Sequence, residues 1–322
     1  MIRYISTFII LSVLGILFER YKLKYMPDEE LEKYDLIRKY LLNGSENIGG
    51  KPILWIHTTH NINARHWQSF ASRNSTNLNQ PYILSCIETI IKTCGETFNV
   101  CLIDDSSFLK LIPNWTVIVR KLSNPIRAHI RTLAMARLLY MYGGMQIPDS
   151  MITLKNLKPL YNKLTSSTDC FVGQTISRNI TSTHVTVFPN TSIIGCKRGS
   201  KTMEQYIRYL ELLNSRDYTN EIEFLGNMER QLYKYVHNGQ MGIIRGDVFG
   251  SVDAYGKAVN IDRLLGKAFI DFTPNLHAIY LPSQEILDRV KYGWFARLSQ
   301  KQLRECDTVA AKWLLIAQNQ KI

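Results

Sequence analysis

Between Asn124 and Ser150 the chain reads as a helix, a turn and a short apolar run, and this unit limits what the rest can fold into. Asn124-Pro125 offers an N-cap followed by a first helical residue of fixed φ. Met135, Leu138, Leu139 and Met141 then recur at core-facing helical spacing up to Tyr142, where Gly143-Gly144 turns the chain. The same punctuation appears upstream. Ile53-Leu54-Trp55-Ile56-His57 is a short, continuously apolar run, the pattern of a strand buried on both faces. Tyr82 to Thr93 is helical and closed by Gly95, and Phe98 to Ile103 is a second strand running into Asp104-Asp105. Strand, helix, strand, helix at this spacing predicts an α/β fold, a mostly parallel sheet flanked by helices.

Further on, Cys170 to Gln174, His184 to Phe188 and Ser192 to Cys196 are expected strands, and 201–213 and 220–237 expected helices. Met241 to Ile244 and His277 to Leu281 follow as late strands, with helical segments at 283–291 and 301–318. No internal repeat divides the chain, so residues 51–322 are expected to form one domain. Before it, Tyr4 to Phe18 carries no charge and is dense in Ile, Leu and Val. It is short for a bilayer span, which takes about 20 apolar residues. No small-x-small cleavage site follows, so residues 1–20 are expected to be an uncleaved membrane-anchor helix, making a single-pass membrane protein. Arg20, Lys22 and Lys24 behind that segment would keep the body cytosolic by the positive-inside rule, whereas a Golgi-type enzyme needs the opposite; the side stays open. Residues 21–50 read as a juxtamembrane helix and a polar linker.

The net charge of +12 suits anionic partners: phospholipid, nucleic acid or a sugar diphosphate. Lys and Arg are scattered rather than clustered, so nucleic acid is the least expected of the three. Six cysteines without a CxxC pair or a nearby His at ligand spacing argue against zinc and for free, buried thiols.

Lys51-Pro52-Ile53-Leu54-Trp55-Ile56-His57 resembles the opening strand of glycosyltransferases with a DxD sugar-binding region, the fungal initiating mannosyltransferases and bacterial capsular-polysaccharide transferases. In that family a helix bearing Arg leads into a Tyr-Gly-Gly turn and then two acids one residue apart. Tyr142-Gly143-Gly144 matches that turn, preceded by Arg131 and Arg137, and Asn190-Thr191-Ser192-Ile193-Ile194-Gly195 resembles the later Asn-plus-strand segment. The similarity covers roughly residues 51–200 in order, and the whole chain also resembles members of this family carried by large DNA viruses. The resemblance implies a GT-A-like fold, a nucleotide-sugar donor bound at the carboxyl ends of parallel strands, and a glycan or protein acceptor. It also implies Mn²⁺ or Mg²⁺ on the paired acids, since hard cations take carboxylate oxygens. Here the chain departs. Pro148 and Ser150 occupy the two acidic slots, with Asp149 between them. Asp149 should face away from the site, and a metal is expected only if a bulge at Pro148 re-aims it. No metal ligand or cofactor is otherwise expected.

Within that frame Asp149 is a candidate catalytic residue. Asp247, in a Gly-rich stretch after a strand, is a second, although a plain turn reads equally from the same pattern. His57, Asp104, Asp105, Arg127, Arg131, Tyr142, Gly143, Gly144 and Asn190 are candidate substrate contacts. Arg127 and Arg131, one helical turn apart, could grip a diphosphate in place of a cation. Asp104-Asp105 could instead cap a helix beginning near Ser106. Lys291-Tyr292-Gly293-Trp294-Phe295-Ala296-Arg297 mixes cations and aromatics in the way sugar and nucleotide sites do, or as a packed C-terminal cap does.

Overall fold

The computed structural model of the protein describes residues 51–59, 80–177, 185–216 and 221–319, with side chains from 226 in the last segment. The expected anchor, the juxtamembrane helix and His184 lie outside the described residues. Among the described residues no helix is long and apolar enough to cross a membrane.

The first half follows the alternation in the sequence. Strand β1 (Ile53–His57) leads to helix α1 (Pro81–Cys94), and β2 (Asn99–Ile103) leads through a short helix α2 (Phe108–Leu111) to the long helix α3 (Ile126–Tyr142). After the glycine turn come β3 (Gly144–Pro148), β4 (Met151–Thr153), α4 (Lys158–Ser167) and β5 (Cys170–Ile176). A ten-residue strand β6 (Val187–Cys196), helices α5 (Lys201–Asn214) and α6 (Glu221–His237), and β7 (Gly242–Ile244) complete the main sheet. Its order is β2-β1-β3-β6-β5-β7. Strands β2, β1 and β3 are mutually parallel, as are β5 and β7, while β6 runs antiparallel to both its neighbours. The sheet is therefore mixed rather than all-parallel. The chain then forms α7 (Ile261–Leu264), β8 (Ala278–Tyr280), α8 (Ser283–Asp288), α9 (Gly293–Ala296), α10 (Gln300–Glu305) and α11 (Val309–Asn319), with β8 pairing antiparallel to β4.

Period-two alternation along β1 builds two cores. Leu54 and Ile56 join α1 and the C-terminal helices on one face; Ile53 and Trp55 join α3 and α5 on the other. The glycine turn locks α3 to β1. Gly143 and Gly144 have φ of +72° and +102°, and a Cβ on Gly144 would stand 2.1 Å from the Ile53 carbonyl oxygen. The Trp55 indole N–H donates to the Gly143 carbonyl at 3.0 Å, fixing the same junction.

Three elements differ from the sequence reading for local reasons. Asn124 makes no side-chain cap; the first turn of α3 is held by backbone bonds, Arg127 N–H to Ser123 O and Ala128 N–H to Pro125 O. The strands expected near 184–188 and 192–196 are one strand. A bulge opposite Val172/Gly173 carries it through Asn190, whose side-chain oxygen takes the Ser192 N–H at 2.8 Å. The helix expected over 301–318 is two, because Thr308 starts α11 by accepting the Ala311 N–H on its hydroxyl.

Candidate active site

The carboxyl ends of β2, β1 and β3 form one row. Register pairs His57 with Ile103 on one side and with Pro148 on the other. The residues just beyond this row fall into two groups, one on each face of the sheet.

On the α3 face, His57 continues the phase of Ile53 and Trp55 and stacks on Phe108, with centroids 5.5 Å apart and planes 4° apart. Its Nε2 donates to Asp105 Oδ1 at 3.0 Å. Arg131 forks onto the same carboxylate, Nε to Oδ1 at 2.6 Å and Nη2 to Oδ2 at 2.7 Å. Burial alone would raise the Asp105 carboxyl, but the hydrogen bonds and charges of Arg131 and His57 outweigh it and hold it well below the usual range. The sequence singled out all three residues; the structure joins them into one network.

Arg127, one turn earlier, donates from Nε to Leu122 O at 2.7 Å and from Nη2 to Arg120 O at 3.3 Å. Among the described residues these acceptors are neutral carbonyls and no carboxylate pairs with it, unlike Arg131. Asp104 is drawn into the turn before α2, where its Oδ1 accepts the Ser106 and Ser107 N–H groups at 3.0 and 2.9 Å. The Tyr142 hydroxyl donates to Leu111 O at 2.8 Å, and Gly143 and Gly144 serve the close approach to β1. Asn190 lies in the β6 bulge, and its amide reaches Glu229 at 3.4 Å.

On the α1 face stands Asp149, in phase with Met145 and Ile147, so it faces away from the α3 side as its spacing predicts. It is half-buried, and burial pushes its carboxyl up to about 7, against the opposing pull of the Thr58 hydroxyl and local backbone N–H groups. Thr58 Oγ1 is buried, and its hydroxyl lies near enough to Asp149 to favour the ionised carboxylate. Tyr82, at the start of α1, adds a second buried hydroxyl; burial, then the Asp149 charge, raises its pKa. Sequence reading missed both. Extending the β1 alternation one residue past His57 gives the face of Thr58, whereas nothing local marks Tyr82.

The second acidic slot is closed. Ser150 is fully buried and its hydroxyl donates to Leu281 O at 2.6 Å, while the Leu281 N–H returns a bond to Ser150 O at 3.1 Å. Pro148 supplies no ligand, and Asp105 is already occupied by Arg131. This donor set does not fit a divalent cation shared between two carboxylates. Among the described residues no group of three or more His, Cys, Asp or Glu side chains could hold a metal.

Asp247, after β7, is buried and meets Arg245 Nε at 3.3 Å. Strand order puts three strand spacings between β3 and β7, roughly 14 Å at ~4.8 Å each, so Asp149 and Asp247 sit on the same edge without forming a carboxylate pair. The five buried cysteines are free thiols, and Cys306 is free and partly exposed.

No family model matches the chain, and no curated protein does. Among solved structures it is similar to apo mouse xyloside xylosyltransferase 1, at 10% identity and a TM-score of 0.35, over 60% of this chain and 85% of that one.

Proposed function

We propose that this chain is a GT-A-like glycosyltransferase. In this reading it moves a hexose from a nucleotide-sugar to a hydroxyl of a glycan or protein acceptor, at the carboxyl edge of β2-β1-β3. It would act as a single-pass membrane protein held by its N-terminal apolar segment. The observation that carries the reading is Asp149. A half-buried carboxyl of pKa about 7, beside the buried Thr58 and Tyr82 hydroxyls, is poised to accept a proton near neutral pH.

Asp149 takes the proton of the acceptor hydroxyl as that oxygen attacks the anomeric carbon. The bond to the nucleoside diphosphate breaks, and its electron pair leaves with the phosphate oxygen. Arg127, which no carboxylate pairs with among the described residues, is the cation best suited to the leaving diphosphate. The Asp105–Arg131–His57 network fixes the neighbouring wall, and Asp247 enters as the second carboxylate on that edge.

A second reading, a non-catalytic scaffold, is favoured by one observation: both acidic slots of the family pattern are taken by residues with packing roles. Product formation from labelled nucleotide-sugars separates the two. Asp149→Asn should lower turnover by about 10²–10⁴-fold with donor affinity kept. Unchanged turnover in that variant defeats the proposed mechanism, and a folded wild type with no turnover on any donor leaves the scaffold.

A further inference from the structure

The segment Leu287–Arg297 is not used by the chemistry above, yet it is anchored beside it. The paired bonds between Ser150 and Leu281, six residues before this segment, hold the chain leading into it next to the residue that follows Asp149. Phe295 is fully buried and packs on Tyr82 with ring centroids 5.3 Å apart. Trp294 then stands edge-on to Phe295, at 5.7 Å and 90°. A continuous series of rings therefore runs from the Tyr82 beside Asp149 out to the surface. At its outer end Trp294 remains 40% exposed, and Leu287 and Val290 beside it in sequence are 41% and 94% exposed.

We infer that this corner is a saccharide-acceptor platform, with Trp294 as the surface on which a pyranose ring of the acceptor stacks. A hexose has an apolar C–H face and a rim of hydroxyls. An exposed indole offers the matching flat apolar surface at low entropic cost. An anionic membrane is a poorer fit, because the local cations are matched: Lys291 pairs with Asp262, and Arg289 lies 3.8 Å from Glu285. The inference rests on the strand-end edge being a site of glycosyl transfer, since that is what makes the adjacent surface an acceptor subsite.

The test is saturation-transfer NMR on the full chain with a panel of methyl hexosides and hexose disaccharides, without donor, alongside separate titration with nucleotide-sugars. Wild type should bind a panel member. Trp294→Ala and Val290→Asp should each weaken that binding at least ten-fold, and Trp294→Phe should retain it within about three-fold. Val290→Asp guards against a folding artefact, since that side chain is almost wholly exposed. Saccharide binding unaltered by Trp294→Ala and Val290→Asp overturns the platform, as does a wild type that binds none of the panel. Trp294-dependent saccharide binding without nucleotide-sugar binding upholds the platform and removes the transferase reading. Nucleotide-sugar turnover with intact acceptor affinity in Trp294→Ala does the reverse.

Discussion

The Arg131 guanidinium holds the Asp105 carboxylate through two parallel bonds of 2.6 and 2.7 Å, tying the middle of α3 to the end of β2. Removing one partner strands a largely buried charge. Arg131→Ala should cost about 2–4 kcal/mol in urea unfolding, and Arg131→Lys less, because an ammonium keeps the charge but loses the fork. Because the folded carboxyl is depressed, this stabilisation is present above the unfolded value near ~4 and fades as pH falls below it. Asp105→Asn should flatten that acid limb. A stability curve with the same acid slope in both proteins counts against the pairing.

Asp149 has the opposite sign. Its folded pKa of about 7 lies above the unfolded value, so the folded protein binds the extra proton and stability declines as pH rises between about 4 and 7. The full decline amounts to at most about 4 kcal/mol. Asp149→Asn should remove this slope and be the more stable protein at pH 8. Parallel stability curves for the two proteins would show that Asp149 titrates normally.

Two positive-φ glycines make an internal comparison. Gly144→Ala forces a Cβ to 2.1 Å from the Ile53 carbonyl, whereas Gly199, at φ +70°, has nothing within 4 Å of its added Cβ. Gly199→Ala should cost about 1 kcal/mol, from backbone conformation alone. Gly144→Ala should cost more than about 3 kcal/mol or prevent folding, since the backbone on both sides is fixed. Equal thermal shifts for the two would contradict the tight α3–β1 junction.

Placing a second acid at Ser150, as the DxD pattern would have it, should fail. Ser150→Asp puts a carboxylate where the hydroxyl now meets Leu281 O, a buried position facing an acceptor. Melting temperature should fall by several degrees, and added Mn²⁺ should not restore it. A Mn²⁺-dependent gain in stability would show that the slot opens onto a metal site.

The first half of the fold was legible because local signals and tertiary need coincide there. The apolar run of β1 and the glycine turn each permit one arrangement, and His57, Asp105 and Arg131 could be selected from their places at strand ends and on one helix. Their union was not legible, since Asp105 and Arg131 are 26 residues apart and meet only through sheet register. The bulge at Asn190 hid the continuity of β6 by breaking period two. Tyr82 and Ser150 owe their surroundings to the C-terminal segment, through Phe295 and Leu281, and such long-range packing leaves no local trace. The spacing of Asp149 puts it out of phase with the acidic slots, but its proton affinity comes from burial that only the assembled α1 face supplies.

The proposed function requires that this edge bind a nucleotide-sugar with a cationic side chain standing in for paired carboxylates and their metal. Calorimetric titration of the full chain with UDP-sugars and GDP-mannose, in EDTA and in Mn²⁺, tests it most directly. The account predicts saturable binding of at least one donor with the same affinity in both buffers, weakened about ten-fold or more by Arg127→Ala. Binding that requires Mn²⁺, or no binding of any donor in either buffer, would contradict it.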